Sequence, residues 1–231
     1  MLGPNVGRRW KNDAMFGSLF GDKQTMVTPE RALRGRETPV LTSFPEHLVL
    51  AVPIDAEPPG SEVAYLAGGC FWGIERIAWR LDGVVNTAVG YMGGYTPNPT
   101  YEETCTAKTG HAETVKVVFD PEQISYAELL QVFFENHNPT TANRQGNDIG
   151  TQYRSAIFTT SPEQAQIAND AIIQLDPRFR DAGHGPITTQ VSEAGTFYYA
   201  EAEHQQYLDR NPNGYCNHGP NGMSCPIGML D

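Results

Sequence analysis

The chain has 231 residues, 39% hydrophobic and 19% charged, enough to bury a sizeable core and too apolar for wholesale disorder. Its 27 acidic residues against 16 Lys+Arg give a formal net charge of -11 with no basic block, which argues against nucleic acid and anionic membranes as partners. No window reaches transmembrane length and the first residues lack a signal-peptide apolar segment, so a cytoplasmic chain is expected.

In chain order, residues 1 to about 60 have weak periodicity and many breakers, including Glu57-Pro58-Pro59-Gly60-Ser61, and read as an extended arm. Residues 62–68 read as a buried strand running into a turn. From Ile74, apolar positions recur at helical spacing through Ile77, Ala78 and Leu81, until Asp82-Gly83 stops the helix. Strands are expected at 84–94 and 112–120, followed by an amphipathic helix with Ser125 as its cap. A fourth strand at 152–160 leads to a helix capped by Ser161 with Pro162 in its first position. A fifth strand at 187–195 and a last helix over 198–211 precede a glycine-rich tail. Strands that alternate with helices but also follow one another predict an α+β or mixed two-layer α/β sheet.

Cys70 stands in Ala67-Gly68-Gly69-Cys70-Phe71-Trp72-Gly73, at the turn before the first helix or in its first turn. A helix N-terminus favours an anion, and the thiolate is the nucleophilic form of cysteine. Gly69 and Gly73 permit close approach to the sulfur, and Phe71 and Trp72 offer an apolar wall suited to a methyl or thioether. The competing reading is an inert cysteine packed at a helix start.

Glu113 opens a strand in which Glu113, Val115, Val117 and Phe119 share one face, and Thr114, Lys116, Val118 and Asp120 the other. A carboxyl at the end of an apolar face is partly desolvated, which raises its pKa and fits it for general-acid work. Beyond the sheet edge it would be an ordinary solvated Glu. Cys216 and Cys225, with eight residues between them in the glycine-rich tail, have the character of mobile resolving thiols. A zinc set of His204, Cys216, His218 and Cys225 lacks the short Cys-x-x-Cys knuckle, so no metal is expected. His111 and His137 read as solvated or capping, and Asp148 as bonding its own backbone in a tight loop. Tyr101 and Tyr153 flank loops as interface or core residues, and Cys105 reads as an inert packed thiol.

Taken together, residues 69–73 (GCFWG), 90–101 (GYMGGYTPNPTY), 109–113 (TGHAE), 143–158 (NRQGNDIGTQYRSAIF) and 198–208 (YYAEAEHQQYL) resemble peptide methionine sulfoxide reductase A. The resemblance runs from about Val63 to the C-terminus. It implies that Cys70 attacks the sulfoxide sulfur, that Glu113 protonates its oxygen, and that Tyr101 and Tyr153 hydrogen-bond to it. It further implies that Phe71 and Trp72 pack on the substrate methyl, and that Asp148 positions the substrate or a tyrosine–water network. Cys70 is left as a sulfenic acid. Cys216 condenses with it, and Cys225 carries the oxidation to the surface for thioredoxin or a related reductant, the order of the two being open.

The implied substrate is the S epimer of methionine sulfoxide, free or in proteins, with no cofactor and a monomeric chain. The fold expected with this reading is a two-layer α/β sandwich with a ferredoxin-like core, extensive loops and the glycine-rich tail. Residues 1–60 form the arm, 61–210 the reductase domain and 211–231 a tail of that domain. Two other classes use some of the same residues. A thiol peroxidase or acyl-transfer enzyme needs an Arg such as Arg76, or a His, beside Cys70. A zinc-bound or redox-sensing interaction module would use the tail cysteines.

Overall fold

The computed structural model describes residues 23–225. Alternation along the strands sets the architecture. On one face of the sheet Ala64, Leu66, Val89, Tyr91, Val115, Val117 and Ile157 meet three helices; on the other Ala67, Met92, Ala112, Ala156 and Phe158 form a second cluster. The strands are β1 (Glu62–Gly68), β2 (Val84–Met92), β3 (Ala112–Phe119), β4 (Arg144–Gln145), β5 (Asp148–Ile149), β6 (Ser155–Thr159), β7 (Gln190–Glu193) and β8 (Tyr198–Tyr199). The helices are α1 (Phe71–Ala78), α2 (Tyr101–Cys105), α3 (Tyr126–Asn136), α4 (Pro162–Asp181) and α5 (Tyr207–Arg210). Six strands make one sheet in the order β7-β6-β1-β3-β2-β8, and β4 and β5 form a separate hairpin. Neighbours in the large sheet are antiparallel except β6 and β7. This is the mixed α+β class expected from the alternation of elements.

Every residue of β3 is buried because both faces of that central strand are covered, the pattern of an interior strand rather than a half-solvated one. The helices start where their caps predict. Ser125 and Glu128 form a reciprocal capping box on α3, and the Ser161 hydroxyl accepts from the Gln164 N–H at the start of α4. The α4 helix continues through Pro177, because Ala168, Ala171, Leu175 and Phe179 carry one apolar stripe past it onto the sheet. Burying Phe179 offsets the hydrogen bond that a proline removes.

The helix expected over 198–211 does not form. Tyr198 and Tyr199 pair with Tyr91 and Gly90 as an edge strand, and only Tyr207–Arg210 is helical. Gln205 explains the difference: its side chain accepts from the Val89 N–H (2.9 Å) and donates to the Val89 carbonyl (2.9 Å), satisfying β2 where no strand reaches it. Long-range bonds of this kind override local helix propensity.

Of the arm, residues 1–22 lie outside the described residues. Residues 23–60 are irregular apart from one short turn at Pro29–Arg31 and a bridge between Glu46 and Pro53. Leu33 and Arg36 bond the 97–108 segment, His47 reaches Thr87, and residues 41–57 cover part of the sheet face opposite the helices. Leu41 and Ile54 bury Ala88 beside Tyr199, and Asn86 donates to the Pro53 and Ala56 carbonyls at 2.8 and 2.9 Å. Lys116, buried on that face, pairs with Glu57 of the arm. Among the described residues no helix is long and apolar enough to cross a membrane.

Candidate active site

At the end of β1 the chain turns sharply into α1, and Cys70 takes the N-cap position of that helix. Gly69 has φ +101°, and a side chain there would run into Gln145. A side chain at Gly73 would collide with the His218 ring. The two glycines therefore admit other parts of the chain, packed tightly around the sulfur.

Glu113 lies beneath this turn and is 1% exposed. Its Oε2 accepts the Phe71 N–H of the α1 first turn at 3.0 Å, and its Oε1 has no partner among the described residues. Burial, with a smaller push from the Asp148 charge, raises its carboxyl to about 8 against the pull of that one N–H. The expectation of a desolvated carboxyl holds. The expectation of a low-pKa thiol does not: burial and the adjacent Glu113 charge push Cys70 well above the ordinary thiol range, outweighing the Trp72 N–H at the helix end. At neutral pH the two groups are a thiol and a carboxylic acid side by side.

Tyr101, first residue of α2, and Tyr153, which ends the turn Thr151–Tyr153, are half-buried. Burial and the Glu113 charge raise both hydroxyls far above the ordinary phenol range, which keeps them as donors. The Tyr101 N–H donates to Glu201 at 2.8 Å, and a Thr100–Glu103 capping box fixes the start of its helix. Cys105 also lies at this place, hydrogen-bonded to both tyrosines, with burial raising its thiol to about 11.

Trp72 forms an aromatic wall with ring centroids 3.9 Å from Tyr207, 5.8 Å from His204 and 6.1 Å from Tyr101. Phe71 is fully buried behind this wall against Tyr91. His204, weighed from the sequence only as a zinc ligand, instead joins this wall, and Tyr207 carries no signal in the sequence beyond its place in the 198–208 motif.

Asp148 does not bond its own backbone as expected. From the β4–β5 hairpin it grips the tail, accepting from the Tyr215 hydroxyl (2.9 Å) and from Asn217 (3.0 Å). His218 bonds the Gly68 carbonyl at 2.7 Å, and the Arg76 guanidinium lies 3.0 Å from the Cys216 sulfur. The tail thus brings Cys216 to the side of the site where its charge acts on Cys70. Arg76 serves the tail thiol and not Cys70, so the arrangement a peroxidase reading requires is not made.

Cys225 corrects the picture of two mobile tail thiols. It is 0% exposed, packed in the main core, and its N–H donates to Glu135 of α3 at 2.8 Å. Burial raises its thiol to about 11. The residues weighed as a zinc set are therefore scattered among the aromatic wall, the Gly68 carbonyl, Arg76 and the core. His111 and His137 are buried rather than solvated, but His137 does cap a helix: it is the C-cap of α3, its ring bonding the Phe133 carbonyl and the Ser155 hydroxyl, while His111 contacts the Thr96 carbonyl.

The family model described as peptide methionine sulfoxide reductase matches residues 62–224. The chain is 53% identical over 213 residues to the peptide methionine sulfoxide reductase MsrA of Salinispora arenicola, covering 90% of this chain and 95% of that one. It is 52% identical over 214 residues to MsrA 1 of Synechocystis sp., covering 92% and 96%. Among solved structures, methionine sulfoxide reductase A of Corynebacterium diphtheriae superposes with TM-score 0.80 at 47% identity, over 88% of this chain and 99% of that chain. Reduced Mxr1 from Saccharomyces cerevisiae gives TM-score 0.65 at 34% identity, over 74% and 93%. A buried thiol beside a buried acid, an aromatic wall and this depth of likeness lead to one conclusion: the chain belongs to the MsrA family of peptide methionine sulfoxide reductases and is an oxidoreductase.

Proposed function

We propose that the chain reduces methionine-S-sulfoxide, free or in proteins, with Cys70 as nucleophile and Glu113 as general acid. The observation that carries this is the unpartnered, buried Oε1 of Glu113, protonated at neutral pH and set beside the Cys70 turn. A sulfoxide oxygen is a strong acceptor, and Glu113 with the Tyr101 and Tyr153 hydroxyls supplies donors to it. Protonating that oxygen makes the sulfur electrophilic and the oxygen a viable leaving group. Attack forms a bond from Cys70 Sγ to the substrate sulfur, the thiol proton passing to the Glu113 carboxylate left by that protonation. The S–O bond then breaks with release of water, and a water adding to Cys70 Sγ breaks the S–S bond. Net, one thiol and one sulfoxide become one sulfenic acid and one thioether, with no atom left over.

Trp72, Tyr207 and His204 take the methyl group, and Phe71 backs them. A Cys216 thiol then condenses with the sulfenic acid, forming a disulfide and releasing water. Asp148 holds the tail for this step through Tyr215 and Asn217. Cys225 exchanges with that disulfide after leaving its core position, and thioredoxin or a similar dithiol removes the oxidation.

The test is turnover of the two separated epimers of N-blocked methionine sulfoxide with dithiothreitol as reductant. Reduction of the S epimer alone is expected. Equal use of both epimers, or none by protein whose Cys70 is a free thiol, rejects the proposal.

A further inference from the structure

A second buried carboxyl, outside the chemistry above, sits on α1. Glu75 is 0% exposed. Its Oε1 accepts from the Thr87 hydroxyl at 3.2 Å and from the Gln206 side-chain amide at 2.8 Å. Its Oε2 accepts the Gln206 backbone N–H at 2.9 Å. The Thr87 hydroxyl is in turn 2.8 Å from Nε2 of His47, a fully buried residue of the arm.

The directions in this row are fixed. His47 Nδ1 accepts the Val49 and Leu50 N–H groups, both at 3.1 Å, so its ring proton is on Nε2 and faces Thr87. The Thr87 proton then points to Glu75. One unbroken line of donors and acceptors runs from the arm through β2 to α1 and on to Gln206. Arg210 is the charged group that acts on Glu75 from the neighbouring α5.

Gln206 needs such an anchor. Its backbone is left-handed, with φ 48° and ψ 40°, a conformation that a non-glycine residue adopts only when its surroundings impose it. It lies between His204 and Tyr207, the two residues that close the aromatic wall on Trp72. Trp72 stands on the same helix as Glu75.

We propose that Glu75 is a positioning residue for the methyl-binding wall: by pinning Gln206 to α1, with His47 and Thr87 as its outer brace, it sets the separation at which Trp72 and Tyr207 face each other. The inference rests on the reading of that wall as the methyl site.

The experiment compares methionine sulfoxide with ethionine sulfoxide, reduced by the intact chain with dithiothreitol, for wild type, Glu75→Gln and Thr87→Val. Both variants are expected to raise KM for methionine sulfoxide about fivefold to tenfold while kcat stays within about twofold, the pattern of lost binding rather than lost chemistry. The preference for methyl over ethyl should narrow, and the alkylation rate of Cys70 by iodoacetamide should be unchanged. If Glu75→Gln does not fold, Thr87→Val carries the test, since it removes only one hydroxyl. Wild-type KM and selectivity in a folded variant, with only the thermal midpoint lowered, overturn the proposal. So does a fall in kcat accompanied by slower Cys70 alkylation. A wild type without methyl preference overturns the methyl reading itself, and the proposal falls with it.

Discussion

The floor of the site and the flank of α1 each bury a glutamate, and the two are treated in opposite ways. Glu75 has both oxygens bonded, by three donors, while Glu113 has one N–H and an oxygen with no partner among the described residues. Burial raises both, Glu75 to about 7 against its hydrogen bonds and the Arg210 charge, and Glu113 to about 8 against the single Phe71 N–H. The difference in partners separates their uses. A buried carboxyl with both oxygens engaged holds structure together; one with a vacant oxygen is free to move a proton to something that enters.

Cys70→Ser sets the limit against which both carboxyls are scaled, and should leave no detectable turnover with any reductant. Glu113→Ala should slow a single turnover by about 10²–10⁴-fold, the usual worth of a positioned acid. Glu113→Gln should keep much of the rate if hydrogen-bond donation is the main role; a loss equal to that of Ala assigns full proton transfer. Glu75→Ala, by contrast, should spare single-turnover chemistry and lower stability by about 3 kcal/mol, as several buried donors lose their acceptor. If Glu75→Ala does not destabilise the fold, the bonded oxygens of Glu75 are not holding structure and the two glutamates do not differ in use.

The pH dependence sharpens the contrast further. The single-turnover rate should fall as pH rises through about 8, where Glu113 gives up its proton, and this limb should disappear in Glu113→Gln. Stability carries the same signature. Glu113 is raised from an ordinary 4.5 to about 8, so its contribution is fully present below 4.5 and is lost as pH rises through about 8. Relative to wild type, Glu113→Gln should therefore gain several degrees in thermal midpoint on going from pH 5 to pH 8. Glu75, raised less, to about 7, should give Glu75→Gln the same kind of gain in smaller measure, on top of a pH-independent loss because an amide cannot accept at both ends. The smallest effect is expected for Tyr215→Phe, which removes one bond between Asp148 and the tail and should slow recycling modestly while leaving methionine release intact.

Much of this was legible from local pattern. The burst of apolar residues ending at Gly68-Gly69-Cys70 located the thiol at a helix start, and the two-residue period placed Glu113 on the same face as Val115 and Val117. Periodicity and caps depend on neighbours in the chain, so they can be read there. What could not be read depends on partners far away in sequence. Gln205 abandons a helix to bond Val89, Asp148 bonds the tail instead of itself, and Cys225 is core because α3 and α4 receive it. The direction of the Cys70 shift belongs to the same class. The helix end was visible, but the buried Glu113 and the depth of burial that outweigh it are properties of the assembled pocket.

On the relay proposed above, the berth of Cys225 bears on the tempo of recycling. Asn221 donates to the Phe134 and His137 carbonyls at 2.7 and 2.6 Å, closing the end of α3, and the tail continues from there into the core. Releasing the thiol means breaking the Cys225 N–H bond to Glu135 and wetting part of the interior, a local opening with its own equilibrium constant. That constant multiplies into every turnover that passes through Cys225 and into none that bypasses it. Recycling through the tail should carry the steep temperature coefficient of an unfolding reaction, whereas a small dithiol acting directly at Cys70 should show the shallow one of thiol exchange.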